Sequence, residues 1–209
     1  MIWRIEIKHK KGVFDSLGEG IQKAIADLGL TSVSKVDVTQ IYNLDGTLTA
    51  EDVQTVCREL LVNSVTQEYY FAPQKPFVVK RSQTVHGIEI AHNPGVMDPV
   101  EASTIKGIRD LGIDGIQSVR TAKKYVLHGT LAKKDLETIT GKVLANKLIQ
   151  HVVDYAKFDQ APKAPVPEAP FHVVSVDLIH AQDRQLAKVS AEGQLFLNLD
   201  EMKAIQKYF

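Results

Sequence analysis

Near the start of the chain Trp3, Ile5 and Ile7 alternate with Arg4, Glu6 and Lys8, the period-two pattern of a strand with one buried face. A turn about Gly12 follows. Leu17, Ile21, Ile25 and Leu28 then recur at helical spacing, an apolar stripe suited to lie against a sheet, with Asp15 placed to cap it. Gly29 comes just after the stripe, where a helix C-terminus favours a residue that tolerates positive φ. A second strand carries Val36, Val38, Tyr42 and Leu44 on one parity and closes at Gly46. A second helix carries Val53, Val56 and Leu60, with Thr49 and Asp52 as its cap, and a last strand starts near Thr66. The unit reads β-α-β-α-β, with length enough in its second strand for a hairpin.

The same pattern returns 83 positions downstream, so that residues 5–67 align with 88–150 without a gap. Ile5-Glu6-Ile7 matches Ile88-Glu89-Ile90, Gly12-Val13 matches Gly95-Val96, and Asp15 matches Asp98. Asp27-Leu28-Gly29 becomes Asp110-Leu111-Gly112, Tyr42 becomes Tyr125, and Gly46-Thr47-Leu48 becomes Gly129-Thr130-Leu131. Asn63 and Gln67 return as Asn146 and Gln150. The first helix stripe reappears as Val100, Thr104, Ile108 and Leu111, the second as Leu136, Ile139 and Val143. Asp98-Pro99-Val100-Glu101 places Asp at the N-cap, Pro at N1 and Glu at N3, a strong helix start. In the second strand Val119, Tyr125 and Leu127 keep the apolar parity, and Thr121 and Lys123 weaken it.

A repeat of this size is a small domain given twice, and two copies on one chain are expected to pack as a built-in dimer. Each copy, at about 75 residues, buries only a modest core and leaves a second sheet face open. Packing one copy on the other would cover that face. The fold class expected is α+β: two tandem βαβαβ open sandwiches forming a pseudo-dimer.

Copy one is assigned to residues 1–72, a linker to 73–85, copy two to 86–158, a Pro/Ala-rich spacer to 159–170 and a tail to 171–209. In the tail, Phe171 to Leu178 reads as a strand, followed by helices near 181–191 and 199–209. Asn198 can cap the second of these, with Leu199, Met202, Ile205 and Phe209 as its stripe. The tail is too short for its own core and is expected to dock on another surface.

Lys+Arg and Asp+Glu both number 25, so no global field draws the chain to nucleic acid or an anionic membrane. The first residues hold no basic leader and no stretch approaches a membrane span, so a soluble, cytoplasmic protein is expected. Cys57 is the lone cysteine; its counterpart is Thr140, and it reads as packing.

The run Lys8-His9-Lys10-Lys11-Gly12 becomes Ala91-His92-Asn93-Pro94-Gly95, losing all three lysines, and reads as a solvated loop and not a phosphate cradle. His9 and His92 lack the i+4 partner of a zinc site and read as hydrogen-bonded structural residues. Tyr42 and Tyr125 read as strand tyrosines at a sheet interface, Asp15 and Asp98 as caps. No catalytic, cofactor-binding or metal-ligating residue is assigned.

Gly12-Val13-Phe14-Asp15-Ser16-Leu17-Gly18, the helix end Asp27-Leu28-Gly29-Leu30, the strand from Val36 to Tyr42, and the run from Cys57 to Tyr69 together resemble the PurS family. Copy two repeats the resemblance in Gly95-Val96-Met97-Asp98-Pro99 and from Val143 to Gln150. The segment from Gln194 to Phe209 resembles the linker that opens PurL, the large synthetase subunit. The resemblance implies a non-catalytic component of phosphoribosylformylglycinamidine synthase in purine biosynthesis, bridging a PurL-type synthetase and a PurQ-type glutaminase and self-associating. It implies no cofactor in this chain, since ATP, magnesium and glutamine are used by the partner subunits. The alternative reading is a tandem ACT-like module that senses a small molecule.

Overall fold

The computed structural model describes residues 1–73, 84–154 and 175–208. The chain divides into two compact units, Met1–Ala164 and Pro165–Phe209. The first contains β1 (Ile2–His9), α1 (Ser16–Asp27), β2 (Lys35–Gly46), α2 (Ala50–Val56) and β3 (Gln67–Pro73) of copy one. Copy two follows as β4 (Val85–His92), α3 (Glu101–Asp110), β5 (Ile116–His128), α4 (Lys133–Ile139) and β6 (Gln150–Val152). The spacer at 159–170 lies outside the described residues. Among the described residues no helix is long and apolar enough to cross a membrane.

The six strands form one sheet in the order β3-β1-β2-β5-β4-β6, antiparallel throughout. The copies meet along β2 and β5, whose ladder runs from Lys35↔His128 to Gly46↔Ile116. This corrects the expectation that one copy covers the open face of the other: the copies join edge to edge, so the hydrogen bonds that complete the sheet also make the dimer. It also explains the length of β2, which is one unbroken strand and not a hairpin, because it pairs with β1 on one side and with β5 on the other.

Among the described residues, the four α-helices of this unit cover the face that carries Trp3, Ile5, Ile7 and Leu44, and they do so across the copy boundary. One core joins Trp3, Ile5, Ile7, Val53, Val56 and Cys57 of copy one to Ile105, Ile108 and Val119 of copy two. The other joins Ile25 and Val36 of copy one to Ile88, Ile90, Leu127, Ile139 and Leu144 of copy two. Helix α3 thus packs in the core of copy one, and α1 in the core of copy two. Ile25 and Ile108 are fully buried, and each such side chain stabilises the fold by about 1.5–3 kcal/mol. Neither copy owns a complete core.

Two repeated glycines show how closely the copies approach. A Cβ on Gly46 would lie 2.1 Å from the Gly115 carbonyl oxygen, and one on Gly129 would lie 2.0 Å from that of Ser32. At Gly29 and Gly112 φ is +82° and +81°, the helix-ending conformation expected there.

The helix ends follow local chemistry. Thr49 and Asp52 form a reciprocal capping box on α2, with Asp52 N to Thr49 Oγ1 at 3.1 Å and Thr49 N to Asp52 Oδ2 at 2.8 Å. In copy two Ala132 has no side-chain acceptor, and only the half contributed by Asp135 survives, at 3.2 Å. Both second helices end in a π-turn, Val62 N to Cys57 O at 3.0 Å and Ala145 N to Thr140 O at 2.9 Å. Helix α3 starts later than the Asp98-Pro99 signal predicts. The Asp98 side chain accepts from Val100 N within a turn, and the α-helix proper begins at Glu101.

In the second unit α5 (Asp183–Glu192) and α6 (Leu199–Tyr208) occupy the expected positions. Asn198 caps α6 by accepting from Glu201 N at 2.9 Å, and Glu201 Oε2 accepts from Asn198 N at 2.8 Å. The Gln206 amide donates to the carbonyls of Leu178 and Ala181 and so holds the approach to α5. Ser175 to Leu178 is not a strand, contrary to its alternating pattern: no neighbouring strand pairs with it among the described residues, and apolar alternation alone cannot supply one. The rest of that expected strand, Phe171 to Val174, lies outside the described residues.

Candidate functional site

The register of β2 on β5 places one pair on the pseudo-two-fold axis. Gln40 and Lys123 are repeat counterparts, and they are also each other's ladder partners. On either side the pairs Val38↔Tyr125 and Tyr42↔Thr121 exchange under the same two-fold. These side chains point to the helix side of the sheet, on the parity of Ile5 and Leu44. There α1 and α3 leave a gap, and the gap is a cleft of about 560 Å³. It is lined in symmetric pairs by Ile7 and Ile90, His9 and His92, Tyr42 and Tyr125, and Gln67 and Gln150, with Gln40 and Lys123 on its floor.

Asp15 lines the cleft, and its counterpart Asp98 lies buried beside the lining residues Pro99 and Val100. Asp15 accepts from Gly18 N at 2.9 Å, as a cap should, and also from Val38 N at 3.2 Å on the neighbouring strand. Asp98 accepts from Val100 N at 3.0 Å and from Thr121 N at 2.6 Å. Both carboxylates take up strand N–H groups just beyond the point where the outer neighbour stops pairing, at Lys8↔Thr39 and Ala91↔Ala122. Asp15 caps α1 and pins it to β2 at once, while Asp98 ties the turn before α3 to β5; the sequence reading included neither tie to the sheet. Gln67 and Gln150 are likewise engaged, accepting from Asn63 N at 2.9 Å and Asn146 N at 3.0 Å.

The histidines and tyrosines are different. His9 Nδ1 lies 3.8 Å from Asp15 Oδ1, and His92 Nδ1 lies 3.9 Å from Asp98 Oδ2, too far for hydrogen bonds. His92 Nδ1 is buried with no hydrogen-bond partner among the described residues. The reading of both as hydrogen-bonded structural histidines is therefore corrected. Burial, reinforced by the negative charge of Asp98, raises the pKa of Tyr42, and burial raises that of Tyr125. Both phenols stay protonated at neutral pH and can donate into the cleft.

Lys123 is exposed although it stands at the centre of the helix-covered face, and it makes no ion pair within 4 Å among the described residues. The sequence reading passed over it. The available signal was a charged residue on the apolar parity of β5, between Thr121 and Tyr125.

The remaining sequence candidates lie outside this constellation or at its edge. Lys8 pairs with Glu68 at 3.1 Å, and Lys10 Nζ donates to the Ser64 carbonyl at 2.6 Å, so the basic run holds the neighbouring turn. Cys57 is fully buried, and burial pushes its thiol up to about 12, which leaves it unreactive. Among the described residues no group of three or more His, Cys, Asp or Glu side chains is placed to hold a metal ion.

The opposite face of the sheet carries charge at its centre. Arg4 grips Glu89 with both terminal guanidinium nitrogens, at 3.1 and 2.7 Å, and reaches Glu6 through Nε at 2.9 Å, while Lys124 donates to Glu6. The carboxylates Glu6 and Glu89 are repeat counterparts, but the cations are not: Arg4 corresponds to Gly87 and Lys124 to Ile41.

The comparisons with known proteins fit this doubled architecture. The family model described as PurS, phosphoribosylformylglycinamidine (FGAM) synthase, matches twice, over residues 2–75 and 86–155. A PurS subunit of phosphoribosylformylglycinamidine synthase from Archaeoglobus fulgidus is 32% identical over 74 residues, a match covering 92% of that protein and 33% of this chain. The chain therefore belongs to the PurS family of FGAM synthase, and it carries the family's domain twice.

Proposed function

We propose that the chain is a non-catalytic bridging component of FGAM synthase in cytoplasmic purine biosynthesis, holding a PurL-type synthetase and a PurQ-type glutaminase together. ATP, magnesium and glutamine are used by those partners. The observation that carries this reading is the double family match on one continuous sheet, which makes a single chain present two related surfaces. Exposed apolar side chains recur in both copies at matching turns, Phe14 with Met97 and Val65 with Leu148. An exposed apolar residue costs little singly, but repeated placement at equivalent turns suits contact with other proteins. The chain is accordingly expected to co-purify with both partner subunits. Its deletion should abolish glutamine-dependent turnover while sparing more of the ammonia-dependent turnover. If deletion leaves both activities untouched, the bridging role is wrong.

A further inference from the structure

We propose that the cleft on the pseudo-two-fold axis binds a small organic anion, a carboxylate or a phosphate ester, held at Lys123. The bridging function does not require such a site, and the site does not depend on it.

The physical case begins with the sheet. A lysine at the centre of a six-stranded sheet, on the side its helices cover, would ordinarily be buried with a carboxylate or replaced by an apolar residue. Lys123 is neither. It is exposed on the floor of the cleft, opposite Gln40, and the two nearby carboxylates, Asp15 and Asp98, are each held by two backbone N–H groups. A volume of about 560 Å³ lies within the range of small-molecule sites. The same cleft is lined by Tyr42 and Tyr125 and by the imidazoles of His9 and His92, repeated by both copies, and by Lys8, which is paired with Glu68. Ile7 and Ile90 give the cleft apolar walls for the body of a ligand. An anion there would accept from Lys123 and from the phenols, in charge-assisted bonds that the apolar walls would strengthen.

The duplication supplies its own control. Copy one has Gln40 where copy two has Lys123, so Lys123→Gln makes the floor symmetric and neutral with a residue the fold already accepts on the axis. The experiment is calorimetric titration of the full chain with benzoate and with phenyl phosphate, two probes that share a ring and differ in the anion. Saturable binding of one or both is expected, and the tighter probe identifies the anion class. Lys123→Gln should weaken binding at least tenfold, and Tyr42→Phe with Tyr125→Phe should weaken it further. Lys188→Gln on α5 removes an equal charge elsewhere and should leave binding unchanged. Absence of saturable binding by either probe overturns the proposal. So does binding that survives Lys123→Gln in a protein whose melting curve is unaltered, or that falls equally with Lys188→Gln. Loss of partner co-purification would leave this site standing, and loss of anion binding would leave the bridging function standing.

Discussion

Lys123 and Lys124 are adjacent in β5 and occupy opposite faces of the sheet. Lys124 is buried against Glu6 beside the Arg4–Glu89 pair, where a missing partner would leave charge in a poorly solvated site. Lys123 stands in an open cleft with no ion pair among the described residues. One face thus uses charge for cohesion, and the other displays it. The difference comes from strand parity alone, since successive side chains leave a strand on opposite sides. The same charge on the same strand therefore serves structure in one position and recognition in the next.

The sharpest way to break this comparison is to remove a buried carboxylate. The side chains of Arg4 and Glu89 are 5% and 3% exposed, so Glu89→Ala should destabilise the fold by about 3–5 kcal/mol, read as a lower urea midpoint. A loss under about 1 kcal/mol would show that the network is no more cohesive than a surface pair.

Next in size is the contact between copies. Gly46→Ala forces a Cβ to within 2.1 Å of the Gly115 carbonyl and should cost about 1–3 kcal/mol. Gly129→Ala should cost about the same, also roughly 1–3 kcal/mol, because its Cβ meets Ser32 at 2.0 Å. Unequal losses would mean that the two loops do not carry the interface alike.

A smaller effect is expected at the edge of the charged face, where Asp37 meets Lys35 at 2.6 Å and His128 at 2.7 Å. Burial alone would raise the Asp37 pKa, but the hydrogen bonds from Lys35 and His128 outweigh it and hold it below the ordinary carboxylate value. A depressed carboxylate stabilises the folded state above its unfolded pKa, about 3.9, and loses that contribution as pH falls through the folded value. Urea midpoints of the native chain and Asp37→Asn should therefore differ slightly at pH 7 and converge below about pH 4. A constant gap across that range would place the effect in packing and not in charge.

The smallest change belongs to Lys123→Gln, which should shift stability by no more than about 0.5 kcal/mol in thermal melting while weakening anion binding at least tenfold. A large loss of stability would erase the distinction between the two faces.

Much of the architecture was legible in the residues. The alternation at Trp3–Lys8, the stripe centred on Ile25 and its counterpart Ile108, and the glycines ending both helices each fix a local conformation, and each appears where expected. Leu17, Leu28 and Leu111 belong to the same stripes and are exposed, because α1 meets the sheet through Gly18 and Ile25 and α3 through Thr104 and Ile108. Less of the candidate site was visible. His9, His92, Tyr42 and Tyr125 stood out as retained, but nothing local says that residues 83 positions apart face each other across one gap. Lys123 looked only like a flaw in an apolar pattern.

By itself, then, the sequence determined the repeated unit, its strands and helices, and which side chains share a face, since these follow from backbone periodicity and caps within a few residues of each position. The edge-to-edge joining of β2 to β5, the exchange of helices between cores and the cleft on the axis were decided only in the tertiary structure. Strand parity assigns a side chain to a face but not a strand to a neighbour; that choice is made by hydrogen bonds between distant backbones and by the apolar area two copies bury together. Once that register paired Gln40 with Lys123, the axis and its exposed ammonium followed.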